Sequence, residues 1–240
     1  MRVDKDFWLF TRPVAHRGLW GNGIIENSLT AYENAAKNGY PIEIDVYSTT
    51  DGHLVSFHDS TLTRMTGENG FIYEKTLAEL KSLSLNGSNE KIPTLNEVFE
   101  IACGRVPLLI EIKNQPAKNI VESVVAALKN YKGEFAVQSF NPLYINKVRK
   151  LAPEFIRGIL GTEDARAQGE SVLNAFIVKN MPFNGLIKPD FISYHQNGLN
   201  LIKRKAKTTP VIAWTVLSEK ERKSLPPFVR NIIFENFIPE

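Results

Sequence analysis

Ile42-Glu43-Ile44-Asp45-Val46 is a short apolar run with two carboxylates. It predicts a β-strand with Glu43 and Asp45 on one face, since residues two apart in a strand point to the same side. A second run, residues 108–113, ends in Glu111-Ile112-Lys113 and places its two charges on one face in the same way. Charged side chains on apolar strands are costly to bury unless something compensates them. The pattern therefore indicates a site at strand ends rather than a plain core.

Two histidines follow the same kind of apolar run. His16-Arg17-Gly18 follows the first predicted strand, and Phe57-His58-Asp59 follows a predicted short hairpin that contains His53. His53 has no such polar partner beside it in the sequence, and we expect it to be a surface or turn residue of that hairpin. His195 ends a later strand, where a pocket-lining role and a packing or hydrogen-bonding role both stay open.

Eight strand-like runs alternate with helical patterns along the 240 residues, which predicts parallel strands joined by helices. Eight such strands in this length favour an α/β fold of the closed TIM (β/α)8 barrel type over an open sheet. We expect one domain over residues 1–240, a long loop or insertion on the active face at residues 60–91, and no eighth helix. The strands are predicted at residues 13–16, 42–46, 106–112, 135–139, 155–160, 191–195, 211–216 and 231–235.

Capping signals delimit several of the helices. Ser28 precedes one helical pattern and Gly39 follows it, while Asn141-Pro142 begins another. Thr94 with Glu97, and Ser218 with Glu221, have the spacing of a capping box. The aromatic run at residues 7–10 is expected to cover apolar surface left by the missing helix, and an interfacial membrane anchor is the rival interpretation.

Composition and charge argue against several classes of protein. The net charge of +3 is small, and the one basic run, residues 203–207, suits a solvated helix end, so no nucleic-acid partner is expected. No stretch has the length of a membrane span and no signal peptide is apparent, so we expect a cytoplasmic protein without stable membrane insertion. Cys103 is the single cysteine, which excludes an intramolecular disulfide, and we expect a buried structural thiol.

The carboxylates Glu43, Asp45 and Glu111 are expected to converge, because functional side chains of a barrel gather at the carboxyl ends of its strands. Carboxylates brought together without a cation raise one another's pKa. Oxygen ligands suit one hard divalent cation, Mg²⁺ or Ca²⁺, and the sequence predicts a site for such an ion. The alternative is a structural ion network with Arg17 and Lys113, which is expensive to bury.

Ten short motifs, in order along the chain, resemble the glycerophosphodiester phosphodiesterase family, and the match runs from residue 13 to about residue 239. They are His16-Arg17-Gly18, Glu26-Asn27-Ser28, Glu43-Ile44-Asp45-Val46, Asp51-Gly52, His58-Asp59, Leu62-Thr63-Arg64, Ile92-Pro93-Thr94-Leu95, Glu111-Ile112-Lys113, Gln138-Ser139-Phe140 and Trp214-Thr215-Val216. The agreement of so many separate motifs over nearly the whole chain makes the resemblance specific.

The resemblance implies a metal-dependent TIM barrel that hydrolyses glycerophosphodiesters to glycerol phosphate and an alcohol. It implies attack by the glycerol hydroxyl of the substrate and a cyclic phosphate that water then opens. Which histidine is the acid in the first step stays open. The implied roles are metal binding by Glu43, Asp45 and Glu111, acid–base catalysis by His16 and His58, and phosphate binding by Arg17 and Lys113.

Trp214, Gln138 and Phe140 are further candidates for substrate binding, and plain packing is the alternative for each. The chain departs from the family pattern at Ile25, at Leu217 and in residues 234–239, which puts recognition of the glycerol end in doubt.

The expected partner is a small glycerophosphodiester substrate, and the alcohol group, the preferred metal and the oligomeric state stay open. A lysophospholipase D-like enzyme for lipid phosphodiesters is one alternative, with Phe71, Ile72 and Tyr73 as its only apolar candidates. A non-catalytic barrel that binds a phosphoester is the other alternative.

Overall fold

The computed structural model describes residues 3–116, 119–166 and 171–240. The chain divides into two compact units: a first unit, Ala15–Phe135, and a second unit, Met1–Val14 with Ala136–Glu240. The described strands are β1 (Val14–Ala15), β2 (Ile42–Ser48), β3 (Leu54–Ser56), β4 (Leu108–Ile112), β5 (Phe135–Ser139), β6 (Arg157–Gly161), β7 (Phe191–His195), β8 (Val211–Val216) and β9 (Val229–Phe234). The described α-helices are α1 (Trp8–Thr11), α2 (Leu29–Lys37), α3 (Thr63–Thr66), α4 (Leu77–Ser82), α5 (Leu95–Ala102), α6 (Ile120–Asn130), α7 (Pro142–Leu151), α8 (Val172–Asn180), α9 (Asn184–Ile187) and α10 (Glu219–Ser224).

Strand β2 organises the first unit. Strands β1 and β4 run parallel to it, with Ala15 opposite Ile42 and Asp45 opposite Glu111. Strand β3 is antiparallel to β2 and completes the predicted hairpin. Every residue of β2 is buried, as expected for a strand that is covered on both faces. The two carboxylates of β2 are therefore held inside the unit.

Residues 60–91, for which the sequence predicts a long loop or an insertion, form a folded insertion. The insertion contains α3, α4 and two 3₁₀ turns, Ile72–Glu74 and Leu85–Gly87. It has an apolar cluster of its own, which packs against Tyr47, Val55 and Phe57 of the hairpin region. The cluster residues contributed by the insertion follow no single helical or strand period, so the pattern does not reveal them as a core. They are Leu62, Met65, Ile72, Leu80 and Leu85.

The second unit contains strands β6 to β9 and β5 from Ala136 onward, and each of these strands pairs in parallel with the next. The predicted strands 135–139, 191–195 and 211–216 coincide with β5, β7 and β8. Strand β6 begins two residues later than predicted, at Arg157, because Phe155 closes a turn by donating its N–H to Ala152 O. Residues 235–240 follow β9 without a helix.

The aromatic run at residues 7–10 is part of the core of the second unit. The first three residues of α1 are buried: Trp8, Leu9 and Phe10. The side-chain amide of Asn231 on β9 donates to Leu9 O at 2.8 Å, which ties α1 to that strand. The run therefore covers apolar surface, as predicted, and does not extend outward as an anchor. Within the described residues, no helix combines the length and apolar character that crossing a membrane requires.

The capping predictions are confirmed for three helices, and at a fourth helix only one of the two hydrogen bonds of the capping box forms. Ser28 and Asn141 cap α2 and α7, and Thr94 forms a complete capping box with Glu97. Ser218 accepts from Glu221 N, but the Glu221 carboxylate binds Leu217 N at 2.7 Å instead of the Ser218 N–H.

The expectation of a buried thiol at Cys103 is wrong. Cys103 is exposed, because it caps the end of α5 one residue beyond the buried Ala102.

Candidate active site

Three buried carboxylates lie together in the first unit. Glu43 and Asp45 project from the same face of β2, and Glu111 stands opposite Asp45 on β4. One carboxylate oxygen from each of the three lies within 4.8 Å of the others. The predicted convergence is therefore present in the structure, produced by the period of β2 and by its parallel register with β4.

Lys113 bridges two of these carboxylates. Its Nζ lies 3.2 Å from Asp45 Oδ1 and 2.9 Å from Glu111 Oε1. Its backbone N–H donates to Val46 O, so Lys113 continues the pairing of β4 with β2 and is held beside the cluster.

Arg17 approaches the cluster with both its backbone and its guanidinium group. Its backbone N–H donates to Glu43 Oε2 at 3.1 Å, and its Nη1 donates to Glu26 Oε1 at 2.9 Å. Its Nε lies 3.8 Å from Asp45 Oδ2 and has no hydrogen-bond partner although it is buried. Arg17 adopts a left-handed conformation with φ of 59°, which directs its N–H toward the carboxylates.

Gly18 makes this turn possible. It has φ of +84°, and an added Cβ would lie 2.8 Å from the backbone carbon of Ala31 at the start of α2. Both the conformation and the close approach exclude a larger residue. The loop after β1 is thus pressed against α2, which fixes Arg17 beside Glu43.

The charges of the cluster are unbalanced. Burial and the nearby carboxylates of Asp45 and Glu111 raise the pKa of Glu43 well above its ordinary value. Burial likewise raises the pKa of Glu111. Burial alone would also raise the pKa of Asp45, but the charges of Lys113 and other nearby cations outweigh burial and lower it.

The donor set fits a divalent cation. Among the residues that the structure describes, the ion pairs of these three carboxylates are with two cations, Arg17 and Lys113, so negative charge is left over. Burial, together with the charges of Asp45 and Glu111, raises the pKa of Glu43, as expected for carboxylates that are held together without a cation. Oxygen-only ligands suit Mg²⁺ or Ca²⁺. The ion pairs of the alternative structural network are present at Asp45 and Glu111. Among the described residues, Glu43 accepts a backbone N–H from Arg17 but forms no ion pair, so that network does not neutralise the whole cluster.

His58 belongs to a chain of polar contacts. Its Nδ1 lies 2.7 Å from Asp59 Oδ1, and Arg64 holds Asp59 through bonds of 2.6 and 3.0 Å. Arg64 Nη2 also donates to Glu26 Oε1 at 2.6 Å, which connects this chain to Arg17. Burial and the Lys113 ammonium lower the pKa of His58 to about 4, so the ring is neutral near pH 7.

His16 lies directly after β1 on the same unit. Its backbone carbonyl accepts from Trp20 Nε1 at 2.9 Å. A charge on the His16 ring would help to lower the pKa of Asp45, after the larger effects of burial, Lys113, His58 and Arg17. The first unit thus brings together all seven residues predicted for metal binding, acid–base catalysis and phosphate binding.

Asn27 is a site residue that sequence reasoning missed. Its Nδ2 donates to Asp45 Oδ2 at 3.2 Å, and its Oδ1 accepts from Tyr32 Oη at 2.7 Å. Asn27 is buried and adopts φ of 52°, a conformation that Asn tolerates better than most residues. Its place in the Glu26-Asn27-Ser28 motif was the available signal. Asp59 and Arg64 were also parts of motifs to which no role was given.

A row of aromatic rings lies beside the cluster. Tyr47, on β2, is close enough to Lys113 for the ammonium to oppose the rise that burial causes in the pKa of Tyr47. Its ring centroid lies 6.2 Å from that of Tyr73, which stacks on Phe71 at 5.2 Å. Phe71 is exposed, whereas Ile72 points into the core of the insertion. Two of the three apolar candidates named from the sequence are therefore available to a ligand.

The remaining candidates lie in the second unit. Gln138 is buried, and its Oε1 accepts from Ser193 Oγ at 2.6 Å. Phe140 and Trp214 meet edge to face at 5.6 Å, and His195 contacts Trp214 at 5.2 Å. The substrate-binding roles of Gln138, Phe140 and Trp214 stay predictions.

His195 also has a polar partner, since its Nδ1 lies 2.9 Å from Glu163 Oε1. Glu163, Asp164 and His195 are the other group of potential metal ligands among the described residues, and Asp164 is exposed.

Comparison with known families agrees with the geometry. The model of the Glycerophosphoryl diester phosphodiesterase family matches residues 16–236. The chain belongs to this family. The match begins at His16 and spans both units, so it includes every residue of the candidate site. Membership confirms the resemblance found in the motifs and the enzyme class that it implies, a phosphoric diester hydrolase.

Individual relatives support the assignment. The chain is similar to a glycerophosphodiester phosphodiesterase of Caldanaerobacter subterraneus subsp. tengcongensis, at 38% identity over 62% of this chain and 66% of that protein. It is also similar to one of Bacillus altitudinis, at 31% identity over 95% of each.

A solved phosphodiesterase of Oleispira antarctica, in complex with the product sn-glycerol-3-phosphate, matches with a TM-score of 0.75 and 27% identity over 93% of this chain and 92% of that one. This likeness confirms the predicted TIM (β/α)8 fold class.

The departures from the family pattern have local structural roles here. Ile25 O accepts from Ser28 Oγ at 2.7 Å, so the backbone before α2 is held although proline is missing. Leu217 is exposed and donates its backbone N–H to Glu221.

Proposed function

We propose that this chain hydrolyses glycerophosphodiesters to glycerol phosphate and an alcohol, using one divalent cation, Mg²⁺ or Ca²⁺, held by Glu43, Asp45 and Glu111. The observation that carries the proposal is the set of three buried carboxylates with oxygens within 4.8 Å, beside two histidines, Arg17 and Lys113. The product held by the Oleispira antarctica phosphodiesterase agrees with this substrate class.

Positive charge is the first chemical requirement, because negative charge builds on the phosphate oxygens during attack. A bound divalent cation supplies part of that charge. Arg17 offers a planar group that suits two phosphate oxygens, and Lys113 acts as a point charge beside the carboxylates. The Arg17 and Lys113 side chains are held in place by ion pairs before substrate arrives, which limits the reorganisation needed during reaction.

Acid–base chemistry is assigned to His58 and His16. In the first step, the neighbouring glycerol hydroxyl attacks phosphorus, and the bond from phosphorus to the alcohol oxygen breaks. His58 takes the proton of the attacking hydroxyl, and His16 gives a proton to the leaving alcohol. In the second step, water opens the cyclic phosphate; His16 takes a proton from the water and His58 returns one to the glycerol oxygen.

Two observations support His58 as the first base. The Asp59 carboxylate, itself held by Arg64, orients the His58 ring through Nδ1 and leaves Nε2 for proton exchange. The lowered pKa of His58 keeps the ring neutral, which is the form that accepts a proton.

The basic test is hydrolysis of glycerophosphocholine by the purified protein. After treatment with a chelator we expect no choline release, and restoration by Mg²⁺ or Ca²⁺. His16→Ala and His58→Ala should each lower kcat by about 10²–10⁴-fold. His53→Ala, an exposed histidine on the β2–β3 hairpin, is the matched control and should keep full activity. Tight binding of glycerol phosphate with no turnover of any diester would favour a non-catalytic binding barrel.

The cyclic intermediate has a separate test. A diester that lacks the glycerol hydroxyl next to the phosphorylated carbon cannot form the ring. We expect this analogue to bind competitively and to resist hydrolysis. Turnover of the analogue at the rate of glycerophosphocholine would show that water attacks directly, while leaving the diesterase assignment intact.

A lipid phosphodiester is a second candidate substrate. The observation in its favour is the Phe71–Tyr73 stack, which extends from Tyr47 to an exposed ring. An acyl chain would gain contact with these rings, whereas glycerophosphocholine would not. If lipids are substrates, Phe71→Ser should lower kcat/KM for lysophosphatidylcholine and leave that for glycerophosphocholine unchanged. Equal kcat/KM values for lysophosphatidylcholine before and after the substitution would remove this candidate.

A further inference from the structure

Residues 171–209 of the second unit combine exposed apolar side chains with a one-sided charge. This segment, which we call the α8–α9 segment, contains six Lys or Arg residues and a single acid, Asp190. The Asp190 carboxylate lies inward, 3.8 Å from the buried guanidinium of Arg157, and accepts from Arg157 N. The outer surface of the segment therefore carries positive charge without a compensating carboxylate of its own.

Large apolar side chains of the segment face solvent. They are between 42% and 70% exposed, and they are Val172, Leu173, Phe176, Phe183, Leu186 and Leu201. Single exposed apolar residues are ordinary, but a concentration in one short stretch marks an interaction surface.

The spacing on α8 gathers these residues on one side of the helix. Val172 and Phe176 are four residues apart, Leu173 and Phe176 are three apart, and Lys179 follows three residues later. Ala175 is the buried residue of the same helix, on another side. Helix α8 is thus apolar on its outer side as well as toward the unit, and its last turn contains Lys179.

The basic residues adjoin the apolar ones. Lys188 directly follows α9, where Leu186 is exposed. Lys205 Nζ lies 3.5 Å from Met181 O, the residue that caps α8, and so joins the basic run at residues 203–207 to the end of that helix. Apolar side chains bordered by lysines and arginines are the composition of surfaces that lie on a lipid bilayer.

We propose that the α8–α9 segment docks this protein reversibly on an anionic lipid surface. Its apolar side chains would enter the boundary between headgroups and acyl chains, and its basic side chains would meet the lipid phosphates. A second copy of the chain is a weaker candidate occupant. A two-fold contact would bring the same patch of each copy together and set lysines against lysines.

The test is co-sedimentation with vesicles, using the full chain. One set of vesicles is pure phosphatidylcholine and the other contains equal parts of phosphatidylglycerol and phosphatidylcholine. We expect binding to the anionic vesicles only, weakened by added salt. Leu173→Ser/Phe176→Ser and Lys203→Glu/Lys207→Glu should each lower the vesicle partition constant by about tenfold or more.

Matched controls lie outside the segment. Ile238→Ser removes another exposed apolar residue, and Lys37→Glu/Lys223→Glu makes the same change in net charge at two other exposed lysines. Both should bind anionic vesicles like the parent. All variants should hydrolyse glycerophosphocholine like the parent, which reports folding separately from lipid binding.

Two results would overturn the proposal. The first is equal partition of the parent into neutral and anionic vesicles, or an equal loss of binding in the controls. The second is a dimer in light scattering that Leu173→Ser/Phe176→Ser converts to a monomer, with no vesicle binding by the parent, because the segment would then be an interface between copies of this chain.

Discussion

Glu43 is the residue whose charge is hardest to accommodate in the metal-free protein. Burial and the carboxylates of Asp45 and Glu111 oppose its ionisation. Glu43→Gln removes that charge and keeps an oxygen that can accept from Arg17 N. We expect the substitution to raise the free energy of unfolding of the metal-free protein by about 1–2 kcal/mol. We also expect it to lower activity by about 100-fold or more, since a ligand is lost.

Urea unfolding in the presence of a chelator measures the first effect, and choline release measures the second. Glu33→Gln is the control, because Glu33 is a surface carboxylate of the same unit paired with Arg105. It should leave both the stability and the activity close to those of the parent, since a solvent-exposed ion pair contributes little. If Glu43→Gln destabilises the metal-free protein, the cluster is a structural ion network instead of a cation site.

Asp59 tests how the proposed base is oriented. Asp59→Asn weakens the hold on His58 Nδ1 and disturbs the preferred ring tautomer while keeping the size of the side chain. We expect kcat to fall by about 10²–10⁴-fold with little change in KM. Asp51→Asn alters a carboxylate that caps Leu77 N in the insertion and should leave kcat unchanged. Full activity of Asp59→Asn would mean that His58 needs no partner and would weaken its assignment as base.

Single residues of the site differed in how well the sequence predicted them. Glu43 and Asp45 were predictable because the period of a strand alone places them together. Asn27 and Arg64 were not, because they meet Asp45 and Glu26 across 18 and 38 residues of chain. Such contacts depend on how loops fold back onto strands, and no local pattern encodes that path.

At the scale of elements, the link between β1 and α2 decides whether the site forms. Gly18 and Gly52 both adopt positive φ, but only Gly18 meets backbone atoms where a Cβ would stand. We expect Gly52→Ala to cost about 1–2 kcal/mol from backbone strain alone. Gly18→Ala should cost about 2–4 kcal/mol, because the clash with Ala31 adds to the strain.

Chemical unfolding of the two alanine variants measures the cost of the contact with Ala31 separately, since Gly18 and Gly52 have nearly the same φ, +84° and +86°. Gly18→Ala should also lose most of the stabilisation that Mg²⁺ or Ca²⁺ provides, because Arg17 and its hold on Glu43 move with the turn. Equal losses in the two variants would show that the packing of this loop on α2 does not position the site.

Regular elements were more predictable than the insertion. Strands β5, β7 and β8 coincide with their predicted limits, because each is an apolar run bounded by polar or turn residues. For residues 60–91 the sequence did not decide between a loop and a folded insertion, since their core residues are scattered among short helices and turns. Cys103 was misjudged for a related reason, because a helical pattern does not show on which residue the helix stops.

For the molecule as a whole, ion binding, proton binding and stability are linked through the carboxylate cluster. The pKa of Glu43 is raised above its ordinary value of 4.5. Its contribution to stability is therefore complete below pH 4.5 and is lost as the pH rises through the raised pKa. The lowered pKa of His58 acts oppositely, because its contribution is complete above the ordinary value of 6.5 and is lost as the pH falls toward 4. The pH profile of the metal-free protein alone mixes both effects.

The contributions of Glu43 and His58 can be separated by measuring how much Mg²⁺ or Ca²⁺ raises the melting temperature at each pH. We expect this increase in melting temperature to grow from about pH 5 to about pH 8, because protons compete with the cation for the carboxylates. The cluster also binds a cation most strongly when all its carboxylates are ionised. Glu43→Gln should reduce both the size of the difference and its slope, and titration calorimetry of the parent in two buffers should show proton release on ion binding. A difference independent of pH, in a protein that still binds the ion, would place the cation away from Glu43 and Glu111.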